Sequence, residues 1–170
     1  GGLEVNEPLW QPSQARIENA AVTRFIAAIE ADWSVEIADF PALHRFSVEA
    51  PERFWQTLTR FCGVKAASWG ARVIADGDRM PGARFFPDAK LNFAENLLKR
   101  RDQADAIVFW GEDKVRRRLS FAELYALVAR LRQALQAEGI AAGDRVAAYL
   151  PNMPETVAAM LATASLGAVW

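Results

Sequence analysis

The residues that could do chemistry are few, and each needs partners that the chain must supply. His44 is the only histidine, so no two-histidine metal site can be assembled, and its place on a short helix predicts a surface or half-buried ring. Cys62, the only cysteine, follows Phe61 at a helix end with no histidine or second cysteine near it, which predicts a packed thiol rather than a nucleophile. Asp76 and Asp78 flank Gly77 like two ligands of a calcium loop, but the remaining spaced acidic ligands are absent, and an ordinary turn is expected. The run Lys114, Arg116, Arg117, Arg118 could meet ligand phosphates or another domain. Its alternation, with Arg116 and Arg118 on one face and Arg117 on the other, also fits an exposed hairpin strand kept soluble by charge. Neither G-x-G-x-x-G nor G-x-x-x-x-G-K-[ST] occurs, so the usual phosphate loops are missing. The loop best placed for a ligand is Pro151–Glu155, beyond the carboxyl end of an expected strand. Glu155 in the first turn of the following helix would repel phosphate there, so the loop is expected to stop a strand and start a helix. On these grounds no residue is assigned a catalytic, cofactor-binding or metal-binding role.

The elements around that loop are the most legible part of the chain. Ser120-Phe121-Ala122-Glu123 is a capping box, and Phe121, Leu124, Leu127, Val128, Leu131 and Leu135 then recur on one helical face, with Gly139 at the left-handed cap position. Arg145–Leu150 is a short apolar run of strand length. A second helix, with Pro154 at its first position, runs through Val157, Met160, Leu161 and Ala164 to Gly167, and Ala168-Val169-Trp170 reads as the start of a third strand. Strand, helix, strand start is a crossover unit and implies a parallel sheet covered by helices. An interior strand of such a sheet requires neighbours on both sides, so the chain is expected to be the front portion of a larger protein.

Upstream, residues 3 to 13 are expected to be extended or irregular, interrupted by Pro8 and Pro12. Gly1-Gly2, standing where an initiator Met would, are set aside as a trimmed start. One helix is expected from a Ser13 cap, beginning near Gln14 and running to Trp33, and others over Phe40–Glu49 and from Pro51 to a stop at Gly63. Four of the six tryptophans precede residue 70 and are expected to anchor this helical layer to something larger. Residues 64 to 91 show only turns, Ala75–Asp78 and Pro81-Gly82, and a brief extended piece at Arg84–Pro87. A helix capped by Asn92 is expected to reach the cations Lys99-Arg100-Arg101, followed by a hairpin of Ala106–Trp110 and Val115–Leu119. The one plausible boundary is near residue 100. The fold class expected is α/β: an N-terminal helical layer, 1–100, then the first strands and helices of a parallel-sheet domain, 101–170.

Composition narrows the class further. Apolar residues at 52% and charged residues at 24% belong to a globular protein. A net charge of −1 favours neither nucleic acid nor a membrane surface as partner. No apolar run approaches the ~20 residues that cross a bilayer, the start carries no secretory pattern, and a lone cysteine suits a reducing compartment. Cytoplasm is the expectation.

Several separated stretches resemble one enzyme family. Pro8-Leu9-Trp10-Gln11-Pro12-Ser13, Arg16 and Thr23-Arg24-Phe25 are similar to the start of acetoacetyl-CoA synthetases, and Phe86–Leu97 fits the same branch. His44–Val48 and Pro51–Trp55 resemble the leading helical region shared with acetyl-CoA synthetases. Leu119–Leu124 resembles the first core motif of the adenylate-forming superfamily, and Leu161–Trp170 its second. The resemblance implies activation of acetoacetate by ATP and Mg2+ to an acyl-adenylate, release of pyrophosphate, and transfer of the acyl group to the CoA thiol. It also implies that the pyrophosphate-stabilising loop, the acidic adenosine motif and a mobile lysine belong to the rest of the parent protein, whose adenylating domain would be the partner of these residues. These residues alone are then expected to bind no ATP, CoA or Mg2+ and to have no ligase activity. An acetyl- or propionyl-CoA synthetase is the runner-up within the family. Outside it stand a docking module presenting the tryptophan-rich helices and a small flavodoxin-like nucleotide binder, the latter disfavoured by the missing glycine-rich loop.

Overall fold

The computed structural model describes residues 8–170, which divide into two compact units. The reading of residues 1–7 lies outside the described residues. The first unit holds the residues up to Val64 together with Ala71–Pro87; the second holds Lys65–Gly70 and Asp88–Trp170.

The first unit is a helical layer. Its helices are α1 (Gln14–Glu18), α2 (Ala21–Trp33), α3 (Phe40–Glu49) and α4 (Pro51–Phe61). The single helix expected from Gln14 to Trp33 is two. Ser13 does cap α1, but the Asn19 side-chain amide donates to the Ala15 carbonyl at 2.8 Å and closes the helix, and Ala20 is extended before α2 begins. The Asn19 N–H shares the Ala15 carbonyl at 3.1 Å, and the Ala20 N–H turns to the Ile17 carbonyl at 3.1 Å, a tightened last turn. Asp39 caps α3 through the Ala42 N–H, and Pro51 stands at the start of α4, as its missing N–H allows.

Phe25, Ile29, Ile37 and Leu43 form the core of this unit. Phe25 meets Phe54 edge-on, with ring centroids 5.5 Å apart. Thr57 is 1% exposed and linked at both ends: the Trp33 indole N–H donates to its hydroxyl at 2.9 Å, and the hydroxyl donates to Asp32 at 2.9 Å. Trp33 is thus engaged inside the unit. So is Trp55, whose ring packs on Phe54 and Phe85. Trp10 remains exposed beneath the Arg16 guanidinium. The extended piece at Arg84–Phe85 (β2) pairs antiparallel with β1 (Ile74–Ala75), a partner too short to show in sequence.

The second unit opens with α5 (Phe93–Leu97), capped by Asn92. It ends before the cations expected at its terminus. Arg100 and Arg101 stack on Phe121 and Tyr125 instead, 4.1 and 3.8 Å from the ring centroids, and Arg100 forms a bidentate pair with Asp102. Next come β3 (Asp105–Gly111) and β4 (Val115–Ser120), the expected hairpin. Helices α6 (Phe121–Ala137) and α7 (Pro154–Ser165) follow. The capping box is complete, with the Ser120 hydroxyl accepting from the Glu123 N–H and Glu123 accepting from the Ser120 N–H. Leu124 and Val128 of α6 pack with Leu161, Ala158 and Ala162 of α7 and with Ala94 and Leu98.

The α/β class holds, but the parallel ladder is barely begun. Arg145–Leu150 forms no continuous strand. A single parallel bridge joins Arg145 to Val169, with N–H···O bonds of 2.8 Å from Val146 to Val169 and from Val169 to Asp144. An apolar run becomes a strand only where neighbours take its backbone groups. Among the described residues only Asp144–Val146 has such a neighbour, and Tyr149 is fully exposed.

Candidate functional site

The loop Pro151–Glu155 and the basic run come together at one place. In the hairpin register Arg116, Arg117 and Arg118 oppose Trp110, Phe109 and Val108. The side chains then part. Arg116 lies over the Trp110 ring at 4.4 Å, and Arg118 pairs with Asp105. Arg117, on the opposite face, reaches α7 and donates to Glu155 Oε1 at 2.6 Å. Alternation therefore assigned the faces correctly. The partner, 38 positions away, had no local signal.

These groups border a recess of about 490 Å³ to which Glu123 and Arg130 of α6 also contribute. The Arg117 guanidinium holds the Glu155 carboxyl below the usual carboxylate range, and Glu155 in turn raises Arg117. Glu123 is likewise lowered, by the Ser120 N–H and hydroxyl that it meets in the cap. Glu155 Oε2 is shielded from solvent and accepts no hydrogen bond.

The loop itself is tied down by its own residues. Thr156 donates its hydroxyl to the Pro151 carbonyl at 2.6 Å and its N–H to the Met153 carbonyl at 3.0 Å. Pro154 is fully buried at the first helical position, where it contributes no N–H. With a proline in place of one donor and the Glu155 carboxylate against the dipole, the helix start is not built to cradle phosphate.

The other candidates belong to the first unit. His44 is exposed on α3, as expected. Cys62 is exposed, which corrects the packed thiol: it follows the last residue of α4, and the face that packs carries Phe54, Thr57 and Leu58 instead. Asp76 pairs with Arg84 at 3.0 Å and with Arg79 at 4.0 Å, so it serves a turn. Among the described residues no group of three or more His, Cys, Asp or Glu could hold a metal ion. Among the described residues no helix is long and apolar enough to cross a membrane.

This helical layer leading into a hairpin, a capped helix and a crossover helix corresponds to known proteins. Residues 40–97 match the family model for the acetyl-coenzyme A synthetase N-terminus, and residues 93–170 match the AMP-binding enzyme model. Its second half is thus similar to AMP-binding enzymes. Over nearly its whole length the chain is similar to acetoacetyl-CoA synthetases. It is 50% identical to the acetoacetyl-coenzyme A synthetase of Rhizobium meliloti (strain 1021) over 99% of this chain and 26% of that protein. The acetoacetyl-CoA synthetase of Danio rerio is 34% identical over 95% of this chain and 24% of its own length. The solved acetoacetyl-CoA synthetase from Streptomyces lividans superposes with a TM-score of 0.86 at 41% identity, covering 97% of this chain and 26% of that one. The chain spans about a quarter of the length of the curated relatives it matches.

Proposed function

We propose that these residues are the helical lead-in and the opening of the adenylating domain of an ATP-dependent acetoacetate–CoA ligase. The observation that carries the reading is 50% identity to an acetoacetyl-CoA synthetase across 99% of the chain. In this reaction ATP, with Mg2+, supplies the adenylyl group that turns the carboxylate oxygen of acetoacetate into part of a good leaving group, and the CoA thiol then takes the acyl group. The described residues contribute scaffold: the α6–α7 core and the Arg117–Glu155 pair fix the loop that follows Leu150. A helical region over 1–100, an adenylating domain beginning at 101, a cytoplasmic setting and a place in lipid metabolism belong to the same proposal.

The test is an assay of the complete open reading frame product with ATP, Mg2+ and CoA. Pyrophosphate release and acyl-CoA formation should depend on acetoacetate, and these 170 residues alone should give neither. Higher kcat/KM with acetate or propionate would transfer the assignment to the neighbouring synthetases.

A further inference from the structure

A second recess, of about 330 Å³, lies wholly within the second unit, among α5, α6 and α7. Three cations line it: Lys65, Arg101 and Arg132. None of the three takes part in an ion pair among the described residues. Three other arginines of this unit, Arg100, Arg117 and Arg118, each have a carboxylate.

The three are positioned differently, by the backbone, by ring stacking and by the helix. Lys65 is clamped by the Asn96 amide, which accepts from the Lys65 N–H at 2.8 Å and donates to the Lys65 carbonyl at 2.9 Å. The Arg101 guanidinium lies on the Tyr125 ring, 3.8 Å from its centroid, an arrangement that leaves the N–H edges available while fixing the plane. Arg132 stands two turns beyond Tyr125 on α6, which is anchored by buried Leu124 and Val128. One acid, Glu95, shares the lining, and it too is in no ion pair. The recess therefore carries a formal charge of +2 at neutral pH, three cations less one carboxylate. Leu98 and Val128 form an apolar floor.

We propose that this recess binds a small polyphosphate, the diphosphate group of a nucleotide or free pyrophosphate, between Arg101, Arg132 and Lys65. Paired guanidinium forks and a mobile ammonium suit clustered phosphate oxygens. An acidic peptide would need a strip of cations rather than one compact recess. The proposal is independent of the ligase reading, since it concerns binding by these residues alone.

The test is calorimetric titration of this chain with inorganic pyrophosphate and with ADP, accompanied by amide NMR. Saturable one-to-one binding is expected, weakening with added salt, with shift changes centred on Lys65, Glu95, Arg101, Tyr125 and Arg132. Arg132→Ala should weaken it about tenfold, as loss of a charge-assisted contact does. Glu95→Gln, which removes the opposing charge, should tighten it, and Arg116→Ala on the hairpin should leave it unchanged. Equal affinity for pyrophosphate and ADP would identify the diphosphate as the recognised group; tighter ADP would add a nucleoside contact. Absence of saturation, shift changes spread equally over Lys114–Arg118, tighter binding of an oligo-glutamate peptide, or indifference to both Arg132→Ala and Glu95→Gln would overturn the proposal.

Discussion

Arg117 on β4 and Glu155 in the first turn of α7 form an ion pair at 2.6 Å, tying the hairpin to the helix start. Both side chains are more than a third exposed, so solvent screens the pair and its contribution is modest. Its pH dependence is nevertheless defined. Because Arg117 depresses the Glu155 pKa, the stabilisation is complete above the ordinary glutamate pKa of about 4.3 and is lost as pH falls through the lowered folded value. Glu155→Gln should lower the melting temperature at pH 7 and lose less stability than the wild type on acidification below about pH 4.3. Parallel acid profiles for the two proteins would show that the pair does not act.

The capping box of α6 is a second point of leverage. Ser120→Ala removes the acceptor for the Glu123 N–H and should cost about 1 kcal/mol in urea denaturation. Glu123 is depressed chiefly by the Ser120 N–H, so Glu123→Gln should likewise reduce the loss of stability on acidification below the usual glutamate pKa.

In the first unit the buried hydroxyl of Thr57 serves both Trp33 and Asp32. Thr57→Val keeps the shape and leaves the indole N–H without its acceptor. A loss of about 1–3 kcal/mol is expected, with an altered Trp33 emission at low denaturant. Unchanged stability would mean that water replaces the hydroxyl.

Leu161 is 2% exposed in the core between α6 and α7. Leu161→Ala should cost about 2–5 kcal/mol, and hydrogen exchange should quicken in α7 before it does in α2. A uniform increase in exchange across both units would argue that they unfold together.

The sequence was most readable where one local rule governs. Ser120 and Glu123 marked the start of α6, Pro154 that of α7, and the apolar stripe from Leu124 to Leu135 the buried face, because capping and periodicity operate within a few residues. Alternation likewise separated Arg117 from Arg116 and Arg118. The break at Asn19–Ala20 escaped notice because the apolar spacing continues across it while one side chain closes the backbone. Nor could spacing reveal that Arg117 meets Glu155, or that Arg101 rests on Tyr125, since those contacts depend on how the helices pack. The expected strand at Arg145–Leu150 was read from composition, but a strand is a property of a pair, and only its first residues have one.

Ala158 and Ala162 of α7 are wholly enclosed against the neighbouring helices. Their shortness sets the gap that α7 keeps from its surroundings, and so where the beginning of that helix comes to rest. A bulkier aliphatic at either position would act like a shim, lifting Glu155 out of reach of Arg117 without altering any charge. The electrostatics of the hairpin's inner face are thus governed, at one remove, by two methyl groups.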